Sequence, residues 1–153
     1  MKLSTKGRYA MVAMIDLVQE LEKSGAQHLS LAEIARRQNV SLAYLEQLFV
    51  KLRRAGLVDS VRGPGGGYRL ARPAAEIRVA EVLEAVEKSY SALEKGAGAT
   101  GALSGSRAQS MANRLWEGLS AQVYVFLHQT TLEDVAFNRL KPCPAVPSLF
   151  RVA

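Results

Sequence analysis

The sequence predicts a mainly α-helical fold with one small β-hairpin, and three observations predict it. Apolar residues recur at helical spacing through most of the chain. Two short helical stretches, one after Ser30 and one after Ser41, are separated by only a tight turn. A Gly-rich tip, Arg62 to Gly67, then lies between two short runs rich in apolar residues. Helix, turn, helix and hairpin in that order, Ser30 to Tyr68, are the pattern of a winged helix-turn-helix, a module that sets one helix in the DNA major groove.

The first helix is expected from a cap at Thr5 or Ser4 to about Lys23, with Tyr9, Met11, Val12, Met14, Ile15, Val18 and Leu21 forming a broad apolar face. Ser30 caps the second, and Glu33 stands three residues on, where it reaches back to the cap amide. Leu31, Ile34 and Ala35 face inward; Arg36 and Arg37 face outward, and His28 is a surface residue. Asn39 tolerates the left-handed backbone of the turn. Ser41 caps the third helix, with Leu42, Leu45, Leu48, Phe49 and Leu52 inward and Gly56 at its end. Leu57, Val58 and Val61, then Tyr68 and Leu70, supply the two strands of the wing.

A fourth helix is expected near Val79 to Lys88, with Val79, Val82, Leu83 and Val86 inward. Lys95 to Ser110 is rich in Gly, Ala and Ser and is expected to be a mobile loop. Helical periodicity returns from Met111 to His128 through Leu115, Trp116, Leu119, Val123, Phe126 and Leu127, in a helix suited to dimerisation. Thr130 and Glu133 are spaced as a capping box for a short last helix, Leu132 to Phe137, and a tail with three prolines follows. The organisation expected is a winged helix-turn-helix over 1–78, a helix, loop and long dimerisation helix over 79–136, and a Pro-rich tail over 137–153.

Candidate DNA contacts follow from residue type and place. Ser41, Ala43, Tyr44, Glu46 and Gln47, near the start of the third helix, offer a small residue, an aromatic, a carboxylate and an amide to base edges. Lys51, Arg53 and Arg54 lie a turn or more later, where phosphate contact is the natural role. Arg62 is placed for the minor groove, and Gly63, Pro64 and Gly65 strip bulk from the tip so that backbone can approach DNA. Lys6, Arg8 and Tyr9 belong to the same face if the first helix abuts the duplex. A plain interaction module of two helices and a hairpin is the competing reading.

Charge supports the DNA reading. The net charge is +6, and residues 1–78 hold thirteen Lys and Arg against seven Asp and Glu, whereas residues 79–153 hold seven of each. No apolar run approaches transmembrane length and no basic amphipathic helix stands out, so a membrane partner is not expected. Polar residues interrupt any apolar core at the amino end, so no signal peptide is expected. With a single cysteine there is no intrachain disulfide, and the expected compartment is the cytoplasm. Catalysis is poorly supplied. There are two histidines in all, and GPGGG joins two strands rather than a strand and a helix as a phosphate loop would.

Three segments carry a family resemblance: MKLSTKGRYAM at the start, SLAYLEQLFVKLRRAGLVDSVRGPGGGYRLAR in the middle, and LWEGLSAQVYVFLHQTTLEDV late in the chain. Together they resemble the IscR family of bacterial regulators over nearly all of residues 1–136. The resemblance implies a homodimeric winged-helix repressor of iron–sulfur cluster assembly genes that binds a double-stranded operator. It implies a recognition helix at Ser41 to Ala55, a wing at Arg62 to Gly67, and roles for Glu46 and Arg62 in base and groove contacts. A serine frequent in the family at one recognition-helix position is Ala43 here.

The family's [2Fe–2S] ligands are three cysteines and a histidine. Anchored on Leu115-Trp116, their positions fall on Gly98, Ser104, Ser110 and Asn113, none a usual iron ligand. The chain in this respect resembles an alphaproteobacterial branch that lacks the loop cysteines. Cys143, in Pro142-Cys143-Pro144, is the one thiolate, and His128 is the nearest histidine in sequence. Two readings stay open: an iron–sulfur cluster with atypical ligation through these residues, or no cofactor. Haem binding and thiol oxidation rank behind both.

Overall fold

The structure is a computed structural model that describes residues 4–87 and 106–140. Its elements in chain order are α1 (Thr5–Ser24), α2 (Leu31–Gln38), α3 (Leu42–Arg54), β1 (Val58–Val61), β2 (Gly67–Leu70), a 3-10 turn (Ala74–Glu76), α4 (Val79–Val86), α5 (Arg107–Gln129) and α6 (Leu132–Ala136). This is the mainly helical fold with a hairpin wing that the sequence predicts. Lys95 to Gly105 of the expected loop, Lys88 of the fourth helix, and Cys143 lie outside the described residues.

Local chemistry fixes most boundaries. The Ser4 hydroxyl accepts from the Gly7 amide and starts α1, and Gly25 ends it in a left-handed conformation. At α2 the capping box is complete: Ser30 accepts from the Glu33 amide, and the Glu33 carboxylate accepts from the Ser30 amide at 3.1 Å. Asn39 turns the chain with φ 52°, and the Ser41 hydroxyl accepts from the Tyr44 amide to start α3. The helix closes at Ala55, with the left-handed residue Gly56 one step later.

One core joins these elements. Met14 and Leu17 of α1, Ile34 of α2, Leu45, Leu48, Phe49 and Leu52 of α3, and Leu57 and Val58 entering β1 are all fully or almost fully buried. Val82 and Val86 of α4, with Leu132 and Ala136 of α6, complete that core from the other side. The wing is anchored to it through the Tyr68 ring, which meets Phe49 edge-on at 5.0 Å between centroids.

The hairpin pairs Val58 with Leu70 through Val61 with Gly67 in antiparallel register. A third segment, unforeseen in the sequence, extends it: Leu29 exchanges two backbone hydrogen bonds with Tyr68, at 2.9 and 2.7 Å. Gly67 makes that approach possible, because a Cβ there would collide with the Leu29 carbonyl.

Several expectations need correction. Tyr9 and Val12 are 38% and 40% exposed, because the buried stripe of α1 runs instead through Gly7, Ala10, Ala13, Met14, Leu17 and Val18. Leu42 is 40% exposed rather than inward, since it opens α3 before the helix reaches the core. Arg37 does not simply face solvent. It holds Asp16 of α1, which is 6% exposed, through Nη2 to Oδ2 at 2.6 Å and Nε at 3.1 Å, and Gln38 Nε2 adds a third donor at 2.8 Å. α5 begins at Arg107 rather than Met111, capped by Ser106. The last capping box is shifted one residue, to Thr131 and Asp134, while Thr130 bonds back to the Phe126 carbonyl at 2.6 Å.

Candidate nucleic-acid interface

The outward face of α3 is polar, small and basic. Ser41, Ala43, Glu46, Gln47, Arg53 and Arg54 are all exposed. The side chains of Glu46, Gln47, Arg54 and Arg62 hold no hydrogen bond or ion pair with the described residues, so their polar groups are available to a partner. Arg53 reaches over β1 to donate to the Ser60 hydroxyl at 3.1 Å, which ties the end of α3 to the base of the wing.

Tyr44 differs from its neighbours. It is half-buried, and its ring meets Tyr9 of α1 edge-on at 5.7 Å between centroids and 82° between planes. Tyr44 also lines a cleft of about 430 Å³ with Ser4, Thr5, Lys6, Lys51, Val86 and Glu87. Two of the basic residues singled out in the sequence, Lys6 and Lys51, therefore share one cleft, although they lie on different helices. Glu87, which also lines the cleft, accepts at its Oε1 from the Ser4 amide at 3.1 Å and hydroxyl at 2.5 Å. Arg8 is exposed on α1.

The wing tip is Arg62-Gly63-Pro64-Gly65-Gly66, with Gly63 and Gly65 at φ 105° and 74°. Such angles are readily held only by glycine and fold the tip into a tight turn closed by Gly66 N to Gly63 O at 2.9 Å. His28 proves to be more than a surface residue, since its Nε2 is hydrogen-bonded to the Gly65 carbonyl and pins the tip to the segment before α2. No spacing rule connects a histidine to a glycine 37 positions away, so the contact is invisible in the sequence.

The metal candidates come out differently. Among the described residues no group of three or more His, Cys, Asp or Glu is placed to hold a metal ion. His128 is occupied locally: its ring stacks on Tyr124 at 3.8 Å, Nδ1 bonds to the Tyr124 carbonyl, and Nε2 lies 3.6 Å from the Glu84 carboxylate. Ser110 and Asn113 are exposed on α5, and neither side chain is a customary iron ligand. The donor set at the family's usual cluster positions does not fit a [2Fe–2S] cluster.

A helix with a polar and basic outward face, presented on a helical core with a pinned Gly-rich wing beside it, is the arrangement of a winged-helix DNA-binding regulator. Comparison with known proteins agrees and narrows the class. The profile of the Rrf2 family, described as an iron-dependent transcriptional regulator, matches residues 3–138. The chain is 69% identical over 152 residues to the HTH-type transcriptional regulator IscR of Cereibacter sphaeroides, covering 99% of this chain and 97% of that protein. Among solved structures it is similar to CymR, the global cysteine regulator of B. subtilis (TM-score 0.74, 35% identity, 90% of this chain and 98% of that one). It is also similar to T. potens IscR (TM-score 0.68, 36% identity, 91% and 88%). The chain belongs to the Rrf2 family of transcriptional regulators, and it is not an enzyme.

Proposed function

We propose that this regulator is a homodimeric repressor that reads a two-fold operator with α3 and the wing, and that its target genes serve iron–sulfur cluster assembly. The observation that carries the reading is the outward face of α3, where Ala43, Glu46 and Gln47 stand uncovered ahead of Arg53 and Arg54. Ser41, Ala43, Tyr44, Glu46 and Gln47 are assigned to base edges and the groove wall, Lys6, Arg8, Tyr9, Lys51, Arg53 and Arg54 to phosphates, and Arg62, Gly63, Pro64 and Gly65 to the minor groove. The gene targets rest on the kinship with the C. sphaeroides IscR. No helix among the described residues is long and apolar enough to cross a membrane, and the cytoplasm is the proposed compartment.

The dimer is supported by α5. Met111, Leu115, Leu119 and Phe126 are 51–64% exposed and fall along one side of the helix, with Trp116 beside them at 47%. An uncovered apolar stripe of that length calls for a partner, and a second copy would present the same stripe. Leu115→Glu with Trp116→Glu should convert the dimer to a monomer in sedimentation velocity; a variant that still sediments as a dimer would overturn this assignment.

The DNA assignment is tested by fluorescence anisotropy on a duplex selected by the protein from a random library, measured across a salt series. Arg62→Ala and Glu46→Ala should abolish most discrimination between selected and random duplex. Lys51→Ala should weaken both about equally and lower the salt slope by about one. Wild-type behaviour in all three would refute the docking.

The effector is proposed to be iron–sulfur status sensed through Cys143, with His128 as a second donor once it leaves Glu84. The test is a visible spectrum with iron and sulfide analysis on anaerobically purified protein, beside Cys143→Ala. Bound iron and sulfide lost in the variant supports the assignment. Colourless wild-type protein refutes it.

A further inference from the structure

α3 also carries two large, exposed apolar side chains that take no part in the hydrophobic core. Leu42 and Val50 are each 40% exposed, although both sit on the helix that supplies four fully or almost fully buried residues to the core. They stand four residues to either side of Glu46, so Leu42, Glu46 and Val50 form one row along the helix, about 6 Å apart per step. Exposed Ala43 lies beside the row, and the basic residues Lys51, Arg53 and Arg54 flank its far end.

We infer that Leu42 and Val50 are specificity-determining residues that read thymine by its C5-methyl group, on either side of the base pair addressed by Glu46. The inference rests on the DNA-binding role proposed above and goes beyond it by assigning two further reading positions and their chemistry. In the major groove thymine is the base that presents a methyl group, and apolar side chains are its complement. An apolar row framed by basic residues suits a methyl group on a duplex whose groove walls are lined by phosphates. The early turns of a recognition helix are the part that comes closest to base edges, which places Leu42 in particular within reach.

The experiment replaces each thymine of the selected duplex in turn by uracil, which removes one methyl and leaves every hydrogen-bonding group in place. Affinities are measured for wild type, Leu42→Ala and Val50→Ser. At two positions per half-site wild type should lose about fourfold in affinity per methyl. Leu42→Ala should lose that sensitivity at one position and Val50→Ser at the other. A change of DNA shape would persist in the variants, so its signature is distinct. Both side chains are exposed, and an unchanged melting temperature establishes that the variants fold. Equal binding of thymine and uracil duplexes by wild type, or full discrimination retained by both variants, overturns the inference. Absence of salt-dependent duplex binding by wild type would instead overturn the DNA-binding role itself.

Discussion

Removing Asp16 should cost this domain far more than an ordinary surface carboxylate. Its side chain is 7% exposed and accepts from two nitrogens of Arg37 and from Gln38, so three donors on α2 converge on one buried acceptor of α1. Breaking a fully buried ion pair from one side costs about 3–5 kcal/mol. The Arg37 side chain is 26% exposed and can turn to water when its partner is gone, which places Asp16→Ala at the low end, about 3 kcal/mol. For a chain of this size that lowers Tm by roughly 6–12 °C. Arg37→Ala should be at least as damaging, because it leaves the buried carboxylate with Gln38 alone. The double variant should therefore fall well short of the sum, with a coupling above about 1 kcal/mol. Thermal unfolding by circular dichroism at pH 7 reads all three. A Tm loss below about 2 °C for Asp16→Ala, or additive single losses, would refute the view that this pair locks α1 to α2.

Other outcomes follow from the caps and the wing. Glu33 is held below the usual carboxylate range by the Ser30 hydroxyl and amide, and Asp134 by the Thr131 amide and hydroxyl. For Glu81, burial pushes upward, but the Arg78 amide, the Arg72 hydrogen bond and the two guanidinium charges outweigh it. Each folded value lies below the unfolded one, so their stabilisation is complete above about pH 4 to 4.5 and is lost as pH falls through the folded values. Tm should drop on acidification below that range, less steeply in Glu33→Gln, and a Tm that rises between pH 5 and 3 would contradict the assignment. Gly67→Ala should cost about 2 kcal/mol, since the new Cβ meets the Leu29 backbone, which cannot yield as a side chain would. Its Tm should fall and its affinity for duplex DNA with it; an unchanged Tm would mean that the Leu29–Tyr68 bridge does not matter.

The sequence revealed the local rules and missed the long-range ones. Capping residues, helical stripes and a Gly-rich tip are short-range patterns, so α2, α3 and the hairpin were legible within a residue or two. The Thr130–Glu133 reading failed because Thr131 and Asp134 offer the same spacing one step on, and only the docking of Val79 N on the Thr130 carbonyl, at 3.0 Å, chooses between them. Leu42 was misassigned because it shares the helical period of Leu45 and Phe49 yet opens the helix, before it reaches the core. The Asp16–Arg37 pair, the His28–Gly65 pin and the Glu87–Ser4 clamp join residues 21, 37 and 83 positions apart. No periodicity encodes such partners; they follow from the tertiary packing. Ala43, Glu46 and Gln47 were legible as an outward face because residue type and helical phase alone decide it.

α4 explains why the reading head and the long helix belong to one device. Val82 and Val86 enter the core shared with α1 and α3, while Val79, Ala80 and Leu83 pack with Leu127 of α5. Polar contacts repeat the connection. Arg78 donates to the Gln129 carbonyl at 3.1 Å, and Glu84 faces His128. At its other end α4 delivers Glu87 to Ser4, at the start of α1 and beside Lys6 and Lys51. A displacement of α5 against α4 must open the apolar contact around Leu83 and Leu127 or carry α4 along with it. Because interiors are close-packed, the second is the cheaper course for small movements. The cleft between Lys6 of α1 and Lys51 of α3 is also lined by Val86 and Glu87, so a movement of α4 with the long helix reaches α3, the helix to which DNA reading is assigned above.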